Sequence, residues 1–110
     1  MVVKIYTKTV TVGANTSYTR LDQLVTPTGV RRTLRELRLY FSATSGVKIR
    51  LLWETEHIAE ITAEAWNKYP IPYSFDLEIP AGTGIYIEGA NSTASAATVI
   101  LEFIVEETRA

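Results

Sequence analysis

The chain has no cysteine, and this excludes a disulfide framework, a thiolate nucleophile and a cysteine-based metal site. Histidine is nearly absent too, because His57 is the only one. Charge of one sign is also lacking, since 11 Lys and Arg face 12 Asp and Glu for a net charge of −1. Without a basic surface the composition disfavours nucleic acid as a partner.

Long apolar runs are missing as well. No stretch approaches the roughly 20 residues of a membrane span, and the first eight residues, MVVKIYTK, do not form the apolar segment of a secretion signal. The sequence therefore predicts no membrane partner, and a cytoplasmic chain or one that leaves the cell inside a virion. Its 110 residues predict one domain over 1–110.

The last third of the chain alternates apolar and polar residues with a period of two, which is typical of strands that bury one face. Turn residues interrupt it at 80–84 and 89–92. The inward set predicted by this alternation is Phe75, Leu77, Ile79, Ile85, Ile87, Val99, Leu101, Phe103 and Val105.

Alternation also predicts a hairpin in the middle of the chain, with arms at 37–41 and 47–53 around the loop 42–46. The inward residues predicted for the two arms are Leu37, Leu39, Phe41, Val47, Ile49, Leu51 and Trp53. Because Trp53 ends the set of its arm, we expect it in the core. The segment 54–66 fits either a return strand or a helix. We favour the strand hairpin, with a helical turn at 63–67.

The N-terminal segment changes parity, because Val3 and Ile5 are odd-numbered while Val10 and Val12 are even-numbered. Since a slip of one residue moves side chains to the other face, this change predicts a bulge or break near 7–9. The next apolar segment, 18–25, fits either a strand or a helical turn.

About eight short strands separated by turn signals are typical of a sandwich or barrel. We therefore predict an all-β fold, a single-domain antiparallel β-sandwich of the jelly-roll type.

Catalytic and metal-binding patterns are weak. His57 lies in a predicted polar turn, and no serine occupies a nucleophile elbow. The acidic stretch Glu54, Glu56, His57, Glu60 and Glu64 matches no zinc spacing. The acids Asp76, Glu78 and Glu88 could form a hydrolytic pair, but alternating charges more often keep a sheet soluble. We expect no enzyme, no metal and no cofactor.

A basic cluster runs from Arg31 to Arg50, with Tyr40 among its cations. Cations with a stacking aromatic could line a groove for single-stranded nucleic acid. Because Glu36 and Glu54 dilute the cluster, nucleic acid is a disfavoured partner.

Five outward positions are apolar or aromatic: Tyr40 and a set of four, Leu52, Tyr86, Ile100 and Ile104. Such a surface needs cover, either from the chain itself or from a second copy. We predict that these four residues form an oligomer interface.

The run 75–87, the following Asn91-Ser92 and the alternating last strand, together with the hairpin 53–61, resemble small jelly-roll proteins of virus and phage particles. The resemblance implies a homo-oligomer, often a trimer, on a larger protein shell. The function expected is thus non-enzymatic: a self-associating virion component such as a capsid decoration or spike.

An alternative function is a carbohydrate-binding module. Trp66, Tyr69 and Tyr73 cluster around a proline-rich loop, where their rings could stack on a sugar. The competing interpretation of Trp66 is that it closes an open edge of the core.

Overall fold

The computed structural model describes residues 1–63 and 71–109, and every regular element within them is a β-strand. The strands are β1 (Val2–Val12), β2 (Thr16–Val25), β3 (Val30–Phe41), β4 (Val47–Trp53), β5 (Glu56–Thr62), β6 (Ile71–Ile79), β7 (Gly84–Asn91) and β8 (Ala97–Arg109). These described residues include no helix that could cross a membrane.

The strands form two four-stranded antiparallel sheets. Sheet A has the order β1-β8-β3-β6, and sheet B has the order β2-β7-β4-β5. The chain changes sheet at every connection except the β4–β5 hairpin, and its first strand lies beside its last. This is the strand order of a jelly roll, so the predicted antiparallel sandwich is confirmed.

The core lies between the sheets, as the alternation predicts. Twelve of the predicted inward residues are at most 1% exposed: Leu37, Leu39, Val47, Ile49, Leu51, Ile79, Ile85, Ile87, Val99, Leu101, Phe103 and Val105. Phe41, Trp53, Phe75 and Leu77 are partly buried and pack against them. Burial of one such side chain contributes about 1.5–3 kcal/mol, so this layer supplies most of the driving force for folding.

Strand β1 corrects one prediction. Its register with β8 is continuous from Val2 to Val12, and no bulge occurs near 7–9. Even-numbered side chains face inward along the whole strand, and Val3 and Ile5 therefore lie outside, 62% and 59% exposed. The parity argument failed because Lys4 and Lys8 take inward positions, where they pair with acids from other strands.

The segment after Trp53 forms the predicted strand hairpin. Trp53 pairs with Glu56 across a turn at 54–55, where Glu54 has a φ of 55°. His57 is thus an exposed residue of β5 rather than a turn residue. The helical turn predicted at 63–67 lies outside the described residues except at Ala63.

The ambiguous segment 18–25 belongs to strand β2, so its helical alternative is wrong. Its pairing with β7 shifts register between Thr16 and Thr19 and again between Arg20 and Asp22. Irregular pairing of this kind bends a strand and re-aims its side chains, so apolar and polar residues do not alternate regularly over 18–25.

Candidate functional site

The four predicted interface residues do not form one surface. Leu52 and Tyr86 are register partners on the outer face of sheet B. Ile100 and Ile104 lie on the outer face of sheet A, on strand β8. Because the core separates these faces, a single interface cannot use all four residues.

Leu52 requires a correction. It points outward as predicted, but only 7% of it is exposed within one chain. Its register partner on β5 is His57, and pairing between the two strands shifts beside it, after Leu51 and Ala59. The chain itself therefore covers Leu52, and no second copy is needed to bury it.

Two of the three aromatic residues predicted to stack on a sugar, Trp66 and Tyr69, lie outside the described residues. Tyr73 lies in β6, where it is half-buried and packs against the core. A ring held in that way is poorly placed for an external ligand.

A different aromatic surface occurs on the outer face of sheet B. Its middle row contains one residue from each strand, because Arg20 pairs with Glu88, Glu88 with Arg50 and Arg50 with Glu60. Charges alternate in sign along this row. The Arg50 Nε donates to the Glu88 carboxylate over 2.6 Å, and both side chains are largely shielded from solvent.

Two tyrosines stack on the arginines of this row. The Arg50 guanidinium carbon lies 3.9 Å from the centre of the Tyr18 ring, and that of Arg20 lies 4.1 Å from the centre of the Tyr86 ring. Such cation–π contacts favour a fixed ring position. The face thus presents two oriented aromatic rings on a rigid sheet.

Tyr18 is unusual among these residues. Its hydroxyl oxygen is buried near the Glu60 carboxylate. Burial, and then the nearby Glu60 carboxylate, raises the pKa of Tyr18. The phenol is therefore neutral at physiological pH, and its ring serves as an apolar and aromatic surface.

A groove of about 250 Å³ runs beside the Tyr18 ring. We call it the tyrosine groove, and its lining residues are Thr16, Tyr18, Gly46, Lys48, Ala90, Asn91 and Ser92. Ala90 lies between Lys48 of β4 and the β2 strand, so a small side chain forms its floor. The volume lies below the roughly 300–1,000 Å³ typical of drug-sized ligands, and it suits one small ring.

Polar groups border the tyrosine groove. The Thr16 and Ser92 hydroxyls donate to the backbone carbonyls of Ala14 and Gly46, so their oxygens remain able to accept. Lys48 is exposed and makes no ion pair with any described residue. Acceptors and a cationic donor therefore meet beside an aromatic ring.

Sequence reasoning missed this groove because its walls come from three strands that are distant in the chain. The available signals were Tyr18 in the irregular strand and the small residues Gly89-Ala90 in an otherwise bulky one.

The candidate hydrolytic acids do not come together. Asp76 and Glu78 lie on β6 of sheet A, whereas Glu88 lies on β7 of sheet B. Each of the three carboxylates pairs with an arginine. In residues 1–63 and 71–109, no group of three or more acidic or histidine side chains could hold a metal ion.

The basic cluster is likewise dispersed. Arg31, Arg35 and Arg38 pair with carboxylates on sheet A, whereas Arg50 pairs with Glu88 on sheet B. These four arginines lie on opposite faces of the sandwich and are paired with carboxylates, so they do not form one cationic groove.

Arg32, a further arginine of the predicted basic cluster, is buried at one end of sheet A. It is 3% exposed and donates to the Glu107 carboxylate over 2.8 Å. Tyr6 donates to the same carboxylate over 2.7 Å, and the Lys4 ammonium lies 3.2 Å away. Burial by itself raises the pKa of Glu107, but these partners outweigh it and lower the pKa to about 2.

No protein-family model and no curated protein matches the chain. One similar solved structure is a carbohydrate-binding module, CBM36, in complex with calcium and xylotriose. It shares 14% sequence identity at a TM-score of 0.42, over 96% of this chain and 93% of that one. At that similarity we draw no functional conclusion from it.

Proposed function

We propose that this jelly roll is a non-catalytic carbohydrate-binding module whose site is the tyrosine groove. The observation that carries the proposal is a fixed tyrosine ring beside a small open groove with donors and acceptors on its other sides. This site differs from the one expected around Trp66, Tyr69 and Tyr73, of which Trp66 and Tyr69 lie outside the described residues.

The chemistry of a sugar ring matches this arrangement. A pyranose has an apolar C–H face. When this face packs on an aromatic ring, both surfaces are removed from water. Its rim carries hydroxyls that both donate and accept. In the groove, Thr16 and Ser92 oxygens can accept from such hydroxyls, and the Lys48 ammonium can donate to them.

Rigid positioning also favours binding. Tyr18 is stacked on Arg50, which is itself held by Glu88 over 2.6 Å. A ring that is already ordered loses little conformational entropy when the ligand arrives. The groove holds one ring, and neighbouring sugar units would extend along the exposed face towards Tyr86.

Saturation-transfer NMR with methyl glycosides of glucose, galactose, mannose, xylose and glucuronic acid tests the proposal. We expect transfer to the sugar C–H protons from the wild-type chain and its loss in Tyr18→Ala. Tyr40→Ala is the matched control, because Tyr40 is a half-exposed tyrosine on sheet A. Equal transfer from both variants, or none from the wild type to any glycoside, would contradict the proposal.

A role on a virus particle, which the jelly-roll resemblance implies, stays a prediction. It is compatible with sugar binding, because a surface module of a particle can carry a recognition site.

A further inference from the structure

The two sheets are closed over one end of strand β1 and open over the other. Val10 and Val12 point inward and are 5% and 0% exposed, because they belong to the core between the sheets. Val2 points inward on the same strand and pairs in register with the buried Glu107, yet 55% of it is exposed. Sheet A therefore extends beyond sheet B at this end, and part of its inner face is open to solvent.

The open end forms a cavity, which we call the β1 mouth. Its volume is about 350 Å³, and its lining residues include Val2, Lys4, Val30, Glu107 and Arg109. The mouth is larger than the tyrosine groove, and its volume is typical of small-molecule sites. Lys4 and Glu107 make one part of the lining ionic, whereas Val2 and Val30 make another part aliphatic.

A buried ion-pair cluster lies behind the mouth. Arg32 Nε donates to Glu107 Oε1 over 2.8 Å, and the Tyr6 hydroxyl donates to the same oxygen over 2.7 Å. Arg32 Nη1 donates to the carbonyl of Val25, the last residue of β2, over 3.1 Å. The other carboxylate oxygen of Glu107 lies 3.2 Å from the Lys4 ammonium. Both oxygens of Glu107 therefore already have donors.

Lys4 is the residue of this cluster that retains donors for a ligand. An ammonium has three N–H donors, and the described chain shows one ion pair for Lys4, with Glu107. That pair fixes the ammonium, and the side chain remains 51% exposed. Lys8 also points inward from β1, but it pairs with Asp22, is 29% exposed and does not line the mouth.

The charge of the mouth favours an anion. Arg32 and Glu107 neutralise each other, so the charge of Lys4 is left unbalanced beside them. Glu107 has a pKa of about 2 and is thus ionised at neutral pH. Arg109 adds a further cation at the exposed rim, where water and salt screen it.

We propose that the β1 mouth binds a small monocarboxylate with an aliphatic body. The carboxylate contacts the Lys4 ammonium, and the hydrocarbon part packs against Val2 and Val30. A carboxylate forms a charge-assisted hydrogen bond with an ammonium, and packing between two valines removes apolar surface from water. The site is independent of the tyrosine groove, which lies on the outer face of the other sheet.

A chemical-shift titration of the isotope-labelled chain at neutral pH tests the site. The probes are cyclohexanecarboxylate, its neutral counterpart cyclohexanecarboxamide, acetate and inorganic phosphate. We expect cyclohexanecarboxylate at millimolar concentration to shift the amide signals of residues 2–4, 30–32 and 106–108 in a saturable way. The carboxamide lacks the charge, whereas acetate and phosphate lack the hydrocarbon ring, so each should bind about fivefold more weakly or worse.

Two conservative variants separate the ionic contact from the aliphatic one. Lys4→Gln removes the charge but keeps an N–H donor for Glu107, and it should weaken binding of cyclohexanecarboxylate by about fivefold. Val30→Thr keeps the shape of the side chain and replaces a methyl group by a hydroxyl. It should weaken binding of the same ligand by about fourfold and leave acetate unchanged. Lys8→Gln is the matched control and should bind as the wild type does.

Three results would overturn the proposal. The first is a set of shifts confined to the tyrosine groove, or no saturable shift. The second is equal binding of the carboxylate and the carboxamide, a comparison made on the wild-type chain and therefore independent of how any variant folds. The third is phosphate binding more tightly than cyclohexanecarboxylate, because the aliphatic contact would then contribute nothing. Unchanged binding by Lys4→Gln with a well-dispersed amide spectrum would likewise remove the ionic contact.

Discussion

The two outer faces of this sandwich differ although the same core supports both. The outer face of sheet A carries Val3, Ile5, Ile100 and Ile104 among polar residues of β1 and β8, and the arginines of β3 on it are paired with carboxylates. The outer face of sheet B has tyrosines stacked on arginines and a small groove beside Tyr18. A flat apolar surface suits protein, whereas a groove with oriented polar groups suits a small polar ligand.

Acid should have the largest effect on stability, because the buried Glu107 of sheet A has a lowered pKa. Its pKa is about 2 in the folded chain against an ordinary value of 4.5. A lowered pKa stabilises the fold above about pH 4.5, and this contribution is lost as the pH falls towards 2. We expect the free energy of unfolding to drop by about 3 kcal/mol over that range.

Urea unfolding at several pH values measures this loss. Glu107→Gln provides the comparison, because it keeps the shape of the side chain and removes the titrating carboxylate. The variant should show a shallower slope between pH 5 and 2. If its slope equals that of the wild type, another group causes the acid sensitivity.

The second prediction contrasts apolar residues from the two faces. Leu52→Ala on sheet B should cost about 2 kcal/mol, because its side chain is covered within the chain. Ile5→Ala on sheet A should change the stability of the monomer by less than about 0.5 kcal/mol, since 59% of Ile5 is exposed. Denaturant unfolding at a concentration where only monomer is present compares them. Equal losses would remove the distinction between a covered and an open face.

The third prediction concerns the end of the tyrosine groove. Gly46 has a φ of 76°, and an added Cβ would lie 2.6 Å from the Thr93 methyl group. Gly29 has a similar φ of 84° but open space around it. Each Ala variant should lose about 1 kcal/mol of folding stability, because alanine is unfavourable in the left-handed backbone conformation. We expect a further loss only for Gly46→Ala, and thermal unfolding of the pair isolates the steric part.

The sequence was sufficient for the sandwich and its core, because strict alternation depends only on neighbours in the chain. It also located Ile100 and Ile104 on an outer face. It failed for Val3 and Ile5, since the polar residues that replace them inside are stabilised by Glu107 and Asp22 from distant strands. Ion pairs between residues this far apart in the chain produce no pattern in the local sequence.

The tyrosine groove shows the same limit for the site. Tyr18, Lys48 and Ala90 are adjacent only through the pairing of β7 with β2 and β4. Trp66 and Tyr69 were predicted as a cluster because they are close in sequence, and that prediction lies outside the described residues. The residues of the tyrosine groove are close only across a sheet, so no local pattern indicates them.

The smallest expected effect sharpens what the face of sheet B recognises, and it depends on the sugar-binding proposal. Lys48 is the cation of the groove that has no acidic partner in the described chain. One exposed ion pair contributes about 0.2–1 kcal/mol, so Lys48→Gln should weaken binding of methyl glucuronide by up to about fivefold. Binding of methyl glucoside should change less, because it has no carboxylate to pair.

Arg109→Gln on sheet A, which removes an exposed cation elsewhere, should leave both affinities unchanged in a chemical-shift titration. Equal weakening of both sugars by Lys48→Gln would mean that the ammonium acts as a hydrogen-bond donor to hydroxyls and does not select acidic sugars.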